Sequence, residues 1–389
     1  MSDAEKVLFI LPQPFFQWRG SPIRAGFDLQ ALAESGYQVD LLTLPIGEDR
    51  QIDGVNVIRV PNLLGVKNVP IGPSVSKALF DIILLFKALS LARRNRYAVI
   101  HGVEDAGAIG VFVAKVAGSK LVYEKHSDPS AYKKGALRNF LMRGYAALER
   151  FIVRRADAVI GTGEGLVAQT RAMAGHASHH HIFDIPSSLV EPTPERADAH
   201  RKELAGSQEE RLVMFVGSFA VYQGVDLMFE SVPEVVKSHP EARFVIVGGT
   251  PGEIEQRKRW LTDRNCEDSV TFAGKIPPDD LPHFLAAADI LLSPRLSGVN
   301  TPLKLLDYLK AESAIVATDT DANRLILDET IAVLAEPKPP EFARAICNLL
   351  DDPQLRKRLA ENGRRLIDDT YNFQQFKKRL AECYETMLR

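Results

Sequence analysis

Lys6-Val7-Leu8-Phe9-Ile10-Leu11-Pro12 is the stretch that decides the fold class. Five apolar residues in a row, closed by a proline, are too few for a helix and show no alternation. A strand buried on both faces of a parallel sheet reads this way. A helical pattern follows over 27–35 and stops at Gly36, and Gln38 to Leu44 reads as a second strand. Val55 to Val60 alternates and ends at Pro61, which makes a third. A long apolar helix over 76–94, a strand at 98–101, a helix over 106–117, a strand at 120–123, a basic helix over 135–155 and a strand at 158–160 continue the series. Strands alternating with helices imply a parallel, doubly wound sheet.

The polar, proline-rich segment around Pro192-Thr193-Pro194-Glu195-Arg196 interrupts the series, and residues 189–208 read as a linker. A second set starts at 211–217 and runs through strands at 243–247, 269–272, 289–293 and 314–317, with helices between them. The reading is two tandem Rossmann-like domains facing a cleft: 1–188, then 209–370, with 371–389 as a helix crossing back to the first. Ligands of open α/β sheets bind at the carboxyl ends of the strands.

Bulk properties bound the function. A chain of 389 residues exceeds one ordinary core. No apolar run approaches the ~18 residues of a membrane span. Met1 to Lys6 carries acids before a short apolar run, which reads as a first strand rather than a signal peptide. Cys266, Cys347 and Cys383 are far apart, which fits a reducing, cytoplasmic compartment. Residues 1–190 carry +5 and the remainder −7. A basic first half suits an anionic acceptor or the inner face of a membrane, and equally the ordinary scatter of surface charge. The helix over 76–94 has the same two readings, buried packing or membrane docking.

Further blocks carry a resemblance. Phe215-Val216-Gly217-Ser218-Phe219, Tyr222-Gln223-Gly224-Val225-Asp226-Leu227, Val245-Ile246-Val247-Gly248-Gly249 and Phe272-Ala273-Gly274-Lys275-Ile276-Pro277 occur in order, followed by Asn300-Thr301-Pro302-Leu303-Lys304-Leu305-Leu306-Asp307-Tyr308. Together they resemble the donor half of family-4 retaining glycosyltransferases. Arg19-Gly20-Ser21-Pro22, Tyr123-Glu124-Lys125-His126 and Ala156 to Ile160 are similar to the acceptor half more loosely. The resemblance spans nearly the whole chain and implies the GT-B fold, a nucleotide-diphosphate sugar as donor (UDP- or GDP-linked), a glycan or lipid-linked acceptor, and retention at the anomeric carbon.

It also implies a site. Gly20, Ser21, Gly217, Ser218, Gln223, Gly224, Gly248, Asn300, Thr301, Pro302 and Leu303 would approach the donor, with the backbone of Lys275 and Ile276 at the base and Asp307 at the ribose. His126 would meet the transferred sugar, and Glu104, Asp105 and Glu124 would line the acceptor side. The family's usual diphosphate cations are replaced by Ser218 or Phe219 and by Gln223, so Arg295 and Lys304 are the expected substitutes. Val299 stands at the family's first acid and Glu312 at its usual glycine.

Other signals carry less. Gly161-Thr162-Gly163-Glu164-Gly165-Leu166 lacks the last glycine of a dinucleotide fingerprint. His176 and His179-His180-His181 read as a polar loop without metal-ligand spacing. No cofactor or metal is expected, with a weak contribution from Mg²⁺ left open, and no nucleic-acid partner. A sugar-nucleotide epimerase on the same fold and a non-catalytic nucleotide-sugar-binding subunit are the alternatives.

Overall fold

The computed structural model describes residues 5–18, 20–62, 65–67, 69, 75–128, 136–173, 175–298 and 301–389. They form two compact units: the chain up to Asp184 together with Phe373–Arg389, and Ile185–Asn372.

The first unit holds β1 (Lys6–Leu11), α1 (Gly20–Glu34), β2 (Gln38–Thr43), β3 (Val55–Arg59), α2 (Val75–Arg94), β4 (Val99–Val103), α3 (Ala106–Ala117), β5 (Lys120–Lys125), α4 (Ala136–Val153), β6 (Ala158–Gly161), α5 (Glu164–Ala172) and β7 (Ser178–His181). Among the described residues the sheet order is β3-β2-β1-β4-β5-β6-β7, with every pairing parallel. The run that opens the sequence is its centre: Val7 to Leu11 are wholly buried, pairing with β2 on one side and β4 on the other.

The second unit holds α6 (Pro194–Leu204), β8 (Arg211–Val216), α7 (Val225–Ser238), β9 (Ala242–Val247), α8 (Pro251–Thr262), β10 (Val270–Gly274), α9 (Leu281–Ala286), β11 (Ile290–Ser293), α10 (Leu303–Lys310), β12 (Ala314–Thr318), α11 (Asp321–Arg324), β13 (Val333–Ala335), α12 (Pro339–Asp351) and α13 (Pro353–Asp369). The sheet order is β10-β9-β8-β11-β12-β13, again parallel throughout. Apolar clusters cover both of its faces, one around Phe229 and Phe244, the other around Leu305 and Tyr308. The last helix, α14 (Phe373–Leu388), belongs to the first unit and lies against α1.

Two expectations change. The proline-rich segment read as a linker carries α6, with Pro194 in its first turn, where a missing N–H costs nothing. The helix packs on α9. His179-His180-His181 is not a loop but most of the edge strand β7, in register with Val159, Ile160 and Gly161.

In each sheet the order reverses once, between β1 and β4 and between β8 and β11. These reversals are where open α/β sheets leave a crevice at the carboxyl ends of their strands.

Candidate functional site

In the second unit the reversal point is built from backbone. Gly217 follows β8 and donates its N–H to Val247 O at 3.0 Å. Gly248 follows β9 with φ +122, and a Cβ there would stand 1.9 Å from Gly217 O. Gly224, at φ +69, starts α7, and its Cβ would fall 1.8 Å from Pro294 O. Only glycine permits both approaches. Leu296 N donates to Tyr222 O at 2.9 Å, which joins the loop after β11 to the turn before α7.

Two cations converge on this turn. Lys304, in the first turn of α10, donates its Nζ to Gln223 Oε1 at 2.9 Å and sits 4.6 Å from the centre of the Phe215 ring. Arg295 follows β11, with Nε on Ser297 O at 2.9 Å and its guanidinium 5.3 Å from the centre of the Tyr222 ring. Its carbonyl is held by the hydroxyls of Thr318 and Thr320. Burial, reinforced by the nearby Arg295 charge, lowers the Lys304 ammonium to about 7. Among the described residues no carboxylate pairs with Lys304. Like charges gathered in a half-buried place suit an anion.

In the first unit the strand ends carry a buried polar cluster. Glu124, in β5, accepts from Arg24 Nε at 2.5 Å and pairs with His101 Nε2 at 2.9 Å. His126 Nε2 lies 3.1 Å from its other oxygen. Arg24 also reaches Asp184 at 3.0 Å and Phe183 O at 3.2 Å. Glu104, buried at φ +52, accepts from His126 N at 2.8 Å and Ser127 Oγ at 3.0 Å. Burial raises its carboxyl above the ordinary range, against the hydrogen bonds from His126 and Ser127.

These two loci fall in the two halves of the chain that match known families. Residues 26–184 match the glycosyl transferase 4-like domain, and residues 196–366 match glycosyl transferases group 1. The chain is a family-4-type glycosyltransferase. It is 26 % identical over 306 residues to an alpha-D-kanosaminyltransferase of Streptomyces kanamyceticus, covering 75 % of this chain and 78 % of that one. Its fold is similar to that of a sucrose-phosphate synthase from Thermosynechococcus elongatus (TM-score 0.78, 20 % identity, 98 % of this chain and 99 % of that one). It is also similar to that of Anabaena HepE in complex with UDP (TM-score 0.76, 16 % identity, 98 % and 100 %). The two doubly wound sheets are thus those of the GT-B fold.

For this glycosyltransferase the expected site residues fall into groups. Gly217, Ser218, Gln223, Gly224, Gly248, Arg295 and Lys304 all stand at the glycine turn or on the loops that meet it, and Thr301, Pro302 and Leu303 lead into α10 beside it. Lys275 and Ile276 follow β10, with Gly274 at φ +72 before them. Gly20 and Ser21 are the first residues of α1, which starts well before the 27–35 pattern. Arg19, Val299 and Asn300 lie outside the described residues. Glu312 has φ +56, a left-handed backbone that explains why its family position is usually glycine.

Two expected residues are engaged elsewhere. Asp307 accepts from Ser187 N at 2.6 Å and Ser187 Oγ at 2.9 Å, and burial raises it to about 6. Lys310 extends the same hold to Ser188 O at 2.9 Å. Asp105 pairs with Lys77 of α2. The sequence reading missed Arg24, His101 and Tyr384, whose Oη lies 2.8 Å from His101 Nδ1. Their one signal was a charged residue, Glu124, inside an otherwise apolar strand that needed buried partners.

Proposed function

We propose that this glycosyltransferase moves a hexosyl-type group from a nucleotide-diphosphate sugar to a hydroxyl of a glycan or lipid-linked acceptor, with retention. The observation that carries the reading is the convergence of Arg295 and Lys304 on the Gly217–Gly248 turn at the sheet's reversal point. A diphosphate is an anion of the right kind, and its growing charge as the bond to the sugar breaks is what such cations stabilise. The UDP bound to HepE favours the same ligand class.

Retention is what the resemblance to family-4 retaining glycosyltransferases implies, and the engaged carboxylates bear only on its route. Glu124 is tied to Arg24 and two histidines, and Asp307 to Ser187, so neither stands ready as a nucleophile. A front-face substitution then fits. The bond from the anomeric carbon to the phosphate oxygen breaks, the acceptor oxygen bonds on the same face, and the acceptor proton passes to the departing phosphate. His126 contacts the transferred sugar. No metal takes part in this scheme; activity that vanishes with a chelator and returns with Mg²⁺ would revise that point.

The partner reading includes a membrane surface. Exposed residues of α2 and α3 support it: Ile82, Phe86, Phe112 and Val116 are each more than half exposed. The three helices carry Lys77, Lys87, Arg93, Arg94, Lys115, Arg138, Arg143 and Arg150 against two acids, half-buried Asp81 and buried Glu149.

The test is calorimetric titration with UDP, GDP, ADP and dTDP, followed by product analysis of the anomeric coupling by NMR. One nucleoside diphosphate binding in the micromolar range and an unchanged anomeric configuration are expected. Binding of none would sink the reading.

A further inference from the structure

A buried side-chain amide joins the loop that carries Arg295 to the neighbouring strand end. Asn323, in α11, is wholly buried, as are Ser293 at the end of β11 and Thr318 at the end of β12. Asn323 Nδ2 lies 2.8 Å from Thr318 O, 3.0 Å from Thr318 Oγ1 and 3.2 Å from Ser293 O. Asn323 Oδ1 accepts from Ser293 Oγ at 3.1 Å.

The two carbonyls settle which end of the amide is nitrogen. A carbonyl only accepts, so the group facing Ser293 O and Thr318 O has to be the donor. An amide nitrogen does not accept, so the Thr318 hydroxyl accepts from it. The hydroxyl's single hydrogen is left for a carbonyl, and Arg295 O receives it. The farther carbonyl within reach, Ser293 O, stands at 3.4 Å. Thr320 Oγ1 donates to the same Arg295 oxygen at 3.3 Å.

Three successive backbone groups of the loop are thereby fixed. Pro294 O packs on Gly224, where a Cβ would stand 1.8 Å away. Arg295 O is held by the two threonines, and Leu296 N donates to Tyr222 O at 2.9 Å. The outer two holds lie on the turn before α7. The middle one comes from the end of β12 and the start of α11, and it depends on the direction of one hydroxyl hydrogen.

We propose that Asn323 is a positioning residue for the diphosphate site: its amide turns the Thr318 hydroxyl onto Arg295 O and so holds residues 294–296 in the backbone path that brings the Arg295 side chain to the glycine turn. This rests on reading Arg295 as a diphosphate cation. A guanidinium binds phosphate oxygens through geometry as well as charge, and a misplacement of about 1 Å can cost as much as ~100-fold.

The experiment is calorimetric titration of the full chain with UDP, GDP, ADP and dTDP, paired with thermal unfolding. Thr318→Val keeps the shape and removes the hydroxyl. Affinity for the preferred nucleoside diphosphate should fall at least about fivefold, and Thr318→Ser should bring it back to within about twofold of wild type. Asn323→Asp replaces two N–H donors by an acceptor, which draws the Thr318 hydroxyl away from Arg295 O and should cost about tenfold or more. Ser313→Ala, at the amino end of β12, removes another buried hydroxyl, bonded to Leu285 O at 3.3 Å, and should lower Tm with affinity unchanged. Coupling separates positioning from mere stability: in an Arg295→Ala background, Thr318→Val should cost less than about 1.5-fold further. Thr318→Val with wild-type affinity while Arg295→Ala weakens binding, or the same loss from Thr318→Val with and without Arg295, would overturn the proposal. Arg295→Ala with wild-type affinity would overturn the reading of Arg295 instead.

Discussion

Lys304 Nζ is hydrogen-bonded to the side-chain carbonyl of Gln223 at 2.9 Å, so the cation of α10 is anchored on the turn where the family's usual cation is missing. A neutral acceptor satisfies one of its three donors and none of its charge.

The first prediction concerns what that arrangement costs. The Lys304 ammonium lies at about 7 in the fold against an ordinary 10.5, first through burial and then through Arg295. Between these values the unfolded chain holds more protons than the folded one, so this group's contribution to stability rises with pH from about 7 to about 10.5. Lys304→Met should raise the melting temperature of the free protein at neutral pH by about 2–4 °C and flatten its rise with pH. The same change should weaken nucleoside-diphosphate binding by at least tenfold (about 1.4 kcal/mol). In wild type, affinity should fall about tenfold from pH 6.5 to 8.5 as the free ammonium loses its proton, and Lys304→Arg should remove that slope. Calorimetry across pH checks all three, and a flat wild-type profile would refute the cation's role.

Asp307 decides between two duties. Its carboxyl holds Ser187 by two hydrogen bonds, and burial lifts it to about 6. A raised acid stabilises the fold below its unfolded value near 3.8, and that contribution is lost as pH rises through about 6. Asp307→Asn keeps an acceptor for Ser187 N and offers an N–H to Ser187 Oγ, so stability at neutral pH should change by less than about 1 kcal/mol. If the carboxylate also meets the ribose, binding of the ribonucleoside diphosphate should weaken about tenfold while that of its dideoxy analogue stays put. Equal effects on both ligands would restrict Asp307 to Ser187.

Gly248→Ala tests the glycine turn itself. The added methyl would stand 1.9 Å from Gly217 O, at a φ of +122 that alanine rarely adopts. Both β8 and β9 would have to part where the diphosphate is expected to lie. A loss of about 2 kcal/mol or more in urea unfolding is expected, together with loss of nucleotide binding. Gly252, where an added Cβ meets nothing within 4 Å, is the control: Gly252→Ala should leave both unchanged.

How much of this was legible follows from where apolar side chains stand. β1, β8 and β9 are continuous apolar runs because both their faces are covered, and the sequence shows them plainly. β7 shows no such run: an edge strand of three histidines and a serine has no apolar signature. α6 has no buried residue and opens on a proline, so its composition resembles a linker. The glycine turn could be read from local motifs because Gly217, Gln223 and Gly224 are neighbours in sequence. Arg24, His101, Glu124 and Tyr384 come from four elements, up to 360 residues apart, and no window of sequence contains them.

The last prediction concerns the face carried by α2, α3 and α4. Within the amphipathic α2 helix, Phe80, Leu84 and Ala88 are buried in the sheet's cover, while Leu79, Ile82 and Phe86 point away, the last 67 % exposed. Phe112 of α3 lies 6.2 Å from Phe151 of α4, whose ring is covered by Arg155 at 4.0 Å. No helix among the described residues is long and apolar enough to cross a membrane. Exposed rings and aliphatics flanked by arginines, with Asp81 raised to about 7 by burial and the Asp105 charge, suit a surface that enters the boundary of an anionic bilayer. Each basic residue near such a surface contributes about 1 kcal/mol, screened beyond a Debye length of ~8 Å at physiological salt. Sedimentation with vesicles containing phosphatidylglycerol should therefore carry the protein down, and vesicles of phosphatidylcholine alone should not. Ile82→Ser/Phe86→Ser and Arg93→Glu/Arg94→Glu should each weaken binding about tenfold. The charge variant should also lose most of the salt dependence, and the apolar one should keep it. Equal sedimentation with both lipids, or binding untouched by either pair, would return this face to ordinary solvent exposure.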